Sequence, residues 1–228
     1  MFSPSELFDL RQTEHASLFD DCQYAWEALK KITPYLKAHA RSELKNSCLG
    51  RAFIGENVFI GEGTVVEDGA MIKGPAIIGR NCQIRHNAYL REDVIVGDGC
   101  VVGNACELKH VVLFNQCSVP HFNYVGDSIL GHKAHLGAGV KISNVKLTAG
   151  NIMVEVEGLP HDTGLRKFGA LIGDGADVGC NAVLSPGSII GRNSVLYPNV
   201  HWRSILPDNM IVKNQAAFEV VNRRPRTT

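Results

Sequence analysis

The sequence predicts an all-β solenoid, a parallel β-helix of hexapeptide repeats with a helical segment ahead of it. Two observations carry this. An aliphatic or similar apolar residue falls on every sixth position from Ile54, Ile60, Val66 and Ile72 through to Leu108 and Phe114; the register resumes at Leu130, Leu136 and Ile142 and returns from Ile172 to Trp202. A small residue follows four positions later, as at Ala70, Ala76, Cys82, Ala88, Cys100 and Cys106, and Gly often follows the aliphatic residue directly, as at Gly61, Gly79 and Gly97. Three hexads make one triangular coil. The aliphatic residue points inward on each flat, the small one fits where walls converge, and Gly eases the corner. An antiparallel sandwich would instead alternate with period two.

The elements follow in order. Residues 1–47 lack the repeat. Ser3-Pro4-Ser5-Glu6 reads as a helix start, with Ser3 as cap, Pro4 in the first turn and Glu6 closing a capping box. A second helix is expected over about Cys22 to Ala40, with Tyr24, Trp26, Leu29, Ile32, Tyr35 and Leu36 on its apolar side and Pro34 kinking or splitting it. This region reads as a helical cap on the open first coil, since an exposed coil end is an unpaired sheet edge. The solenoid is expected over 48–206. Within it, residues 145–167 do not fit hexads, and Gly158, Pro160 and Gly164 mark turns, so a projecting loop is predicted, with a hairpin around Ile152 to Val156. Residues 207–228 form a tail, with a short helix expected near Gln215 to Asn222.

Composition excludes some functions. The 228 residues carry 23 basic and 23 acidic side chains, which argues against an electrostatic nucleic-acid binder; Arg223, Arg224 and Arg226 cluster only in the tail. No apolar run approaches the roughly 18 residues needed to span a bilayer, and the N-terminus lacks a signal-peptide pattern. The seven cysteines have no paired metal spacing, and Cys82, Cys100 and Cys106 read as buried reduced thiols. The expected setting is the cytoplasm.

Breaks in the repeat locate the chemistry. Lys73, Arg91 and Lys109 stand where Gly is usual, spaced so that they stack on successive coils. Neighbouring strands lie about 4.8 Å apart, where two like charges repel by about 0.9 kcal/mol in water. A bound phosphate would turn that repulsion into affinity. The other reading is a solvated face eased by Glu107 or Glu92. The second break is Pro120-His121-Phe122-Asn123-Tyr124, where Tyr124 falls at a small position that it overfills. His121 just after the inward position could serve as a general base near neutral pH.

The hexads resemble those of the left-handed β-helix acyltransferases. Arg91, Glu107-Leu108-Lys109, His121 to Asp127 with Tyr124 inside it, Gly137-Ala138-Gly139 and Asn144 resemble, in spacing, the acetyltransferase half of the bifunctional enzymes that make UDP-N-acetylglucosamine, and the similar archaeal sugar-phosphate nucleotidylyltransferases. The resemblance covers about residues 78–200. It implies the left hand of the coil and an acetyl-CoA-dependent N-acetyltransferase without a catalytic metal. It further implies that His121 is the general base, that Arg91 and Lys109, with Lys73 above them, hold a sugar phosphate, and that Tyr124 and Asn144 orient the sugar and its amine. Lys167 matches a substrate-site lysine, His135 stands where the family has an asparagine near the acetyl group, and Ala138 and Cys180 stand where it contacts coenzyme A. The acceptor expected is an amino-sugar phosphate or a nucleotide-linked amino sugar. His121 and Lys109 belong to different walls, so a homotrimer with intersubunit sites is expected.

Three alternatives compete with this reading. A γ-class carbonic anhydrase would need three zinc-binding histidines, for which His86, His110, His121, His132 and His135 are available. A lipid A acyltransferase would carry a substantial C-terminal helical domain. A non-catalytic trimeric scaffold would keep the solenoid without turnover.

Overall fold

The computed structural model describes residues 2–45, 48–156 and 158–214. They form the expected parallel β-solenoid, with strands on three faces in cyclic order. The first face includes Val58–Ile60, Ala76–Ile78 and Val94–Val96; the second includes Val65–Val66, Gln83–Ile84 and Val101–Asn104; the third includes Phe53–Ile54, Met71–Ile72 and Tyr89–Leu90. Two longer strands, Glu107–Leu113 and Tyr124–Leu130, run around the corner from the third face to the first, so these two faces share one 15-stranded sheet beside a 9-stranded one. The first described rung is Glu43–Leu44, paired with Phe59 and Ile60, slightly ahead of the expected start.

The inward positions are the predicted ones over the early coils. Ile60, Ile72, Ile78, Ile84, Leu90 and Val96 are fully buried, and Cys82, Cys100 and Cys106 are free, buried thiols beside them. Each of these thiols donates to a backbone carbonyl, as Cys82 Sγ does to Gly97 O at 3.1 Å.

The register then departs from strict hexads. Ile84 pairs with Val102, but Val102 pairs with Val119 and Val96 with Leu113, so each coil loses one residue. Leu113 and Val119 take the positions that the repeat assigned to Phe114 and Pro120. The cause is local. The corner after Arg91 is turned by Glu92 and Asp93, whereas the next is turned by His110 alone, at φ 54°, and the one after by Asp127, at φ 47°. The small interior position therefore falls on Asn123, which is 2% exposed and donates to Gly137 O at 2.7 Å. Tyr124 is not at that position; it faces outward, level with Glu107 and Tyr89.

The N-terminal segment begins with the helical turn Pro4–Leu7, whose cap is closed by Ser3 N–H donating to Glu6 Oε2 at 3.0 Å. The second helical region is split as Pro34 required: a 3-10 segment, Ala25–Lys31, leads into the α-helix Ile32–His39. Pro34 sits in the first turn of that helix, where its missing N–H leaves no helical bond unmade. The segment does not close the first coil. Phe8 packs on Phe114 with ring centroids 5.1 Å apart, Asp9 N–H donates to Asp174 at 2.6 Å, and Thr33 Oγ1 donates to Asp93 at 2.7 Å. It thus lies along the first face across the middle coils. The reason is hydrophobic: the outward residues there, Ile77, Ile95, Ile129, Leu171 and Ile189, are aliphatic, and all are buried.

The predicted loop is present. Met153–Val156 and Leu159–Asp162 form an antiparallel hairpin, held to the N-terminal segment by His161, whose ring centroid lies 4.7 Å from that of Tyr24. The tail helix expected near Gln215 to Asn222 lies outside the described residues.

Close coil stacking gives one sharp stability prediction. A Cβ at Gly103 would stand 1.5 Å from the carbonyl oxygen of Pro120, which is backbone and cannot swing aside. Gly103→Ala is expected to destabilise the fold by about 3 kcal/mol or more. The urea midpoint measures this, and an unchanged midpoint contradicts it.

Candidate active site

Half of the site candidates gather at the corner where the third face turns into the first. Ile72 pairs with Leu90 and Leu90 with Leu108, so Lys73, Arg91 and Lys109, each one residue further on, stack on successive coils as predicted. Their charges are already met within the chain. Arg91 Nη1 donates to Glu107 Oε1 at 2.9 Å, and its Nη2 lies 3.4 Å from Glu92. Arg91 Nε is buried with no hydrogen-bond partner among the described residues. Lys109 Nζ lies 3.5 Å from Asp127 Oδ1. Lys73 is exposed, with its ammonium 5.5 Å from the centre of the Tyr89 ring.

Asp127 is the hub of this corner, and sequence reasoning gave it no role. Its side chain is 5% exposed. One carboxylate oxygen faces Lys109 and, at 3.1 Å, His110 Nδ1, off the line of a good hydrogen bond; the other accepts from Asn144 Nδ2. Burial works against ionising Asp127, but contacts from His110 and Asn144 and the Lys109 charge outweigh it, holding its carboxyl below the usual value. Tyr124 joins the cluster with its hydroxyl beside Asn144 over Gly126. Burial, then the charges of Glu107 and Asp127, push its phenol above the ordinary value. Gly126 leaves the space in which they meet, since a Cβ there would stand 2.7 Å from Asn144 Nδ2 and 2.8 Å from the Tyr124 hydroxyl. In the sequence Asp127 closes the run from His121 that carries the resemblance; in the structure it turns that corner alone.

The remaining candidates lie elsewhere. His121 is exposed at the opposite edge of the third face, where the second face ends, and among the described residues its ring makes no hydrogen bond. Gly139 N–H donates to His121 O at 2.9 Å and Asn181 N–H to Ala138 O at 2.8 Å, so His121, Ala138 and Cys180 occupy one corner on successive coils. Cys180 is exposed. His135 sits on the second face with Nδ1 3.0 Å from Asp177. Lys167 is exposed beside Phe168, whose N–H donates to Asn144 O at 3.0 Å, where the projecting loop rejoins the corner. From His121 to Gly126 the extended chain covers about 16 Å, so one copy separates His121 from the Arg91 and Lys109 corner by the width of a face. Among the described residues, no three His, Cys, Asp or Glu side chains are grouped to hold a metal ion. No helix among them is long and apolar enough to cross a membrane.

This corner lies within a recognisable segment. Residues 72–159 match the GMPPB C-terminal domain. That match contains Lys73, Arg91, Lys109, His121, Tyr124, Asp127 and Asn144, together with the hairpin strand Met153–Val156. The chain is 36% identical over 92 residues to a bifunctional sugar-1-phosphate nucleotidylyltransferase/acetyltransferase of Sulfurisphaera tokodaii, covering 40% of this chain and 23% of that one. It is 33% identical over 113 residues to the bifunctional protein GlmU of Methanococcus maripaludis, covering 50% and 26%. The matched stretch thus spans about a quarter of the length of these relatives. Among solved structures, the UDP-N-acetylglucosamine acyltransferase of Campylobacter jejuni superposes with a TM-score of 0.45 at 13% identity, over 75% of this chain and 66% of that one. The resemblance carried by the sequence motifs and the match to the GMPPB C-terminal domain overlap from about residue 78 to 159, while Lys167 and Cys180 lie beyond the match.

Proposed function

We propose that this chain is a coenzyme A-dependent N-acetyltransferase acting on an amino-sugar phosphate or a nucleotide-linked amino sugar. The observation that carries the reading is the gathering of Arg91, Lys109, Tyr124 and Asn144 at one corner within a segment similar to sugar-1-phosphate acetyltransferases. Arg91 and Lys109 take the sugar phosphate, exchanging part of their contact with Glu107 and Asp127 for the ligand, and Lys73 and Lys167 add charge at the rim. Tyr124 and Asn144 orient the amino sugar. His121 accepts the proton of the amine as its nitrogen attacks the thioester carbonyl. The C–N bond forms, the C–S bond breaks, and the proton passes to the departing thiolate, giving the amide and free coenzyme A. Orientation supplies most of the acceleration. The base adds about 10²–10⁴-fold.

The separation of His121 from the cation corner supports a homotrimer in which His121 of one copy faces the corner of the next, with Ala138, Cys180 and His135 along the coenzyme A side. The first face is covered by the N-terminal segment, so the second and third faces are the walls left for such contacts. We also propose an N-terminal segment, a solenoid and a tail, with the solenoid running past the expected 48–206 to the rungs Glu43–Leu44 and Ile211–Val212, and a cytoplasmic setting consistent with the free buried thiols.

The test is a thiol-release assay with acetyl-coenzyme A and a panel of amino-sugar 1-phosphates and nucleotide amino sugars, with the oligomeric state read by analytical ultracentrifugation. Release that depends on one acceptor names the substrate. No release from a folded trimer favours the scaffold reading.

A further inference from the structure

The projecting hairpin roofs a cavity that the proposed chemistry does not use. Its volume is about 700 Å³, and it lies between the hairpin and the coils carrying Val183 and His201. The coil register separates it from the cation column. Lys109 pairs with Gly126, Val125 with Ile142, Ile142 with Leu184, and Leu184 with Trp202. Arg203 therefore stands four coils beyond Lys109 on the same corner. At the spacing between neighbouring strands this is about 19 Å along the axis. A phosphate held by Arg91 and Lys109 does not reach Arg203, so the far end of the cavity is a site of its own.

That end carries a compact group of donors. Val183 pairs with His201, and Ser185 N–H donates to Trp202 O at 2.8 Å, so Ser185 and Arg203 are neighbours on adjacent coils. His201 Nε2 lies 2.9 Å from Ser185 Oγ. Arg203 is exposed and makes no ion pair or hydrogen bond among the described residues. By contrast, Arg91 and Lys109 are already matched by Glu107 and Asp127. The rim nearer Asn144 adds Lys146, which donates to Asn151 O and keeps two further N–H donors. The backbone N–H groups of Lys146, Leu147 and Thr148 have no partner among the described residues. Glu155 is the single carboxylate among the described lining residues. Between the two ends the wall is aliphatic, from Ile152, Val154 and Ile205.

A guanidinium, a hydroxyl and an imidazole around one point, none paired with a carboxylate among the described residues, suit the oxygens of a phosphate group. The guanidinium offers two parallel N–H donors. When His201 Nε2–H donates to Ser185 Oγ, the serine O–H is left to turn towards an anion. Inorganic phosphate alone would not touch the aliphatic wall, and the cavity volume lies within the usual range for small-molecule sites. We propose that this cavity binds an organic phosphate monoester, with its phosphate against Arg203, Ser185 and His201 and an apolar body under Ile152 and Met153 of the hairpin. This ligand is distinct from the acetyl acceptor. By touching both the coils and the hairpin, it fastens the roof beside Asn144. The assignment does not rest on the acetyltransferase reading.

The test uses the full chain carrying Arg91→Gln, which weakens anion binding at the cation column, and titrates it calorimetrically with phenyl phosphate and with inorganic phosphate. Phenyl phosphate should bind saturably at one site, about tenfold more tightly than inorganic phosphate because its ring meets the aliphatic wall. Adding Arg203→Ala should weaken it by about tenfold or more, with partial recovery in Arg203→Lys. Hydrogen exchange at Met153–Val156 should slow when phenyl phosphate is bound, and this protection should be lost with Arg203→Ala. Arg203 is exposed and unbonded, so both variants should melt at the temperature of their parent. Absence of binding in the Arg91→Gln chain, or an affinity indifferent to Arg203→Ala, overturns the site. Inorganic phosphate bound as tightly as phenyl phosphate overturns the organic ligand. Binding that depends on Arg203 but leaves exchange at Met153–Val156 unchanged overturns the fastening of the hairpin.

Discussion

Replacing His121 with alanine is expected to lower kcat for acetyl transfer by about 10²–10⁴-fold, the usual contribution of a positioned general base. The side chain is exposed and its ring has no hydrogen-bond partner among the described residues, so the substitution removes no packing on which the coil depends. The melting temperature and the affinity for the acceptor should therefore change little. A loss of kcat with an unchanged dissociation constant for the acceptor is the signature sought. Equal loss of binding and turnover would assign His121 a structural role instead. Retention of full activity would remove it from the mechanism and, with it, the strongest argument against a scaffold.

The second large effect is at Asp127. Asp127→Ala leaves Lys109, His110 and Asn144 facing an empty corner, and removing one partner from a buried charged cluster costs about 3–5 kcal/mol. Because Lys109 keeps some contact with water, the lower end of that range is expected. The urea midpoint of Asp127→Ala reads this directly, and a shift below about 1 kcal/mol would contradict the hub role. The sign of the pH dependence follows from the lowered carboxyl. A group held below its unfolded value of about 3.9 contributes stability in full at higher pH and loses it as pH falls through the folded value. The advantage of the wild type over Asp127→Asn should thus be constant near neutral pH and shrink below about pH 4. Activity should fall as well, since Asn144 and Tyr124 are oriented through the same carboxylate.

The sequence made much of this legible because a solenoid repeats one local solution. Each coil stacks on the last, so a period in the chain becomes a column in space, and Lys73, Arg91 and Lys109 could be placed together from their numbers alone. The hairpin was legible for the opposite reason: Gly158, Pro160 and Gly164 interrupt the period. Two features were misread. Tyr124 looks misplaced when the repeat is extended through a corner that His110 turns alone; one residue fewer at that corner shifts the positions after it. The N-terminal segment was assigned to the open coil end because that edge is unpaired, yet the aliphatic outward residues of the first face, such as Ile95 and Leu171, offered a larger apolar surface.

The sequence by itself determined the solenoid, its inward-facing residues over the early coils and the column of cations, because these depend on neighbours a fixed number of residues away. The tertiary structure alone decided which charges are neutralised, which face is covered and where a cavity opens. Those outcomes depend on groups distant in the chain, such as Asp127 beneath Lys109 and Asn144, Phe8 on Phe114, and the hairpin over Arg203, whose meeting no local period encodes.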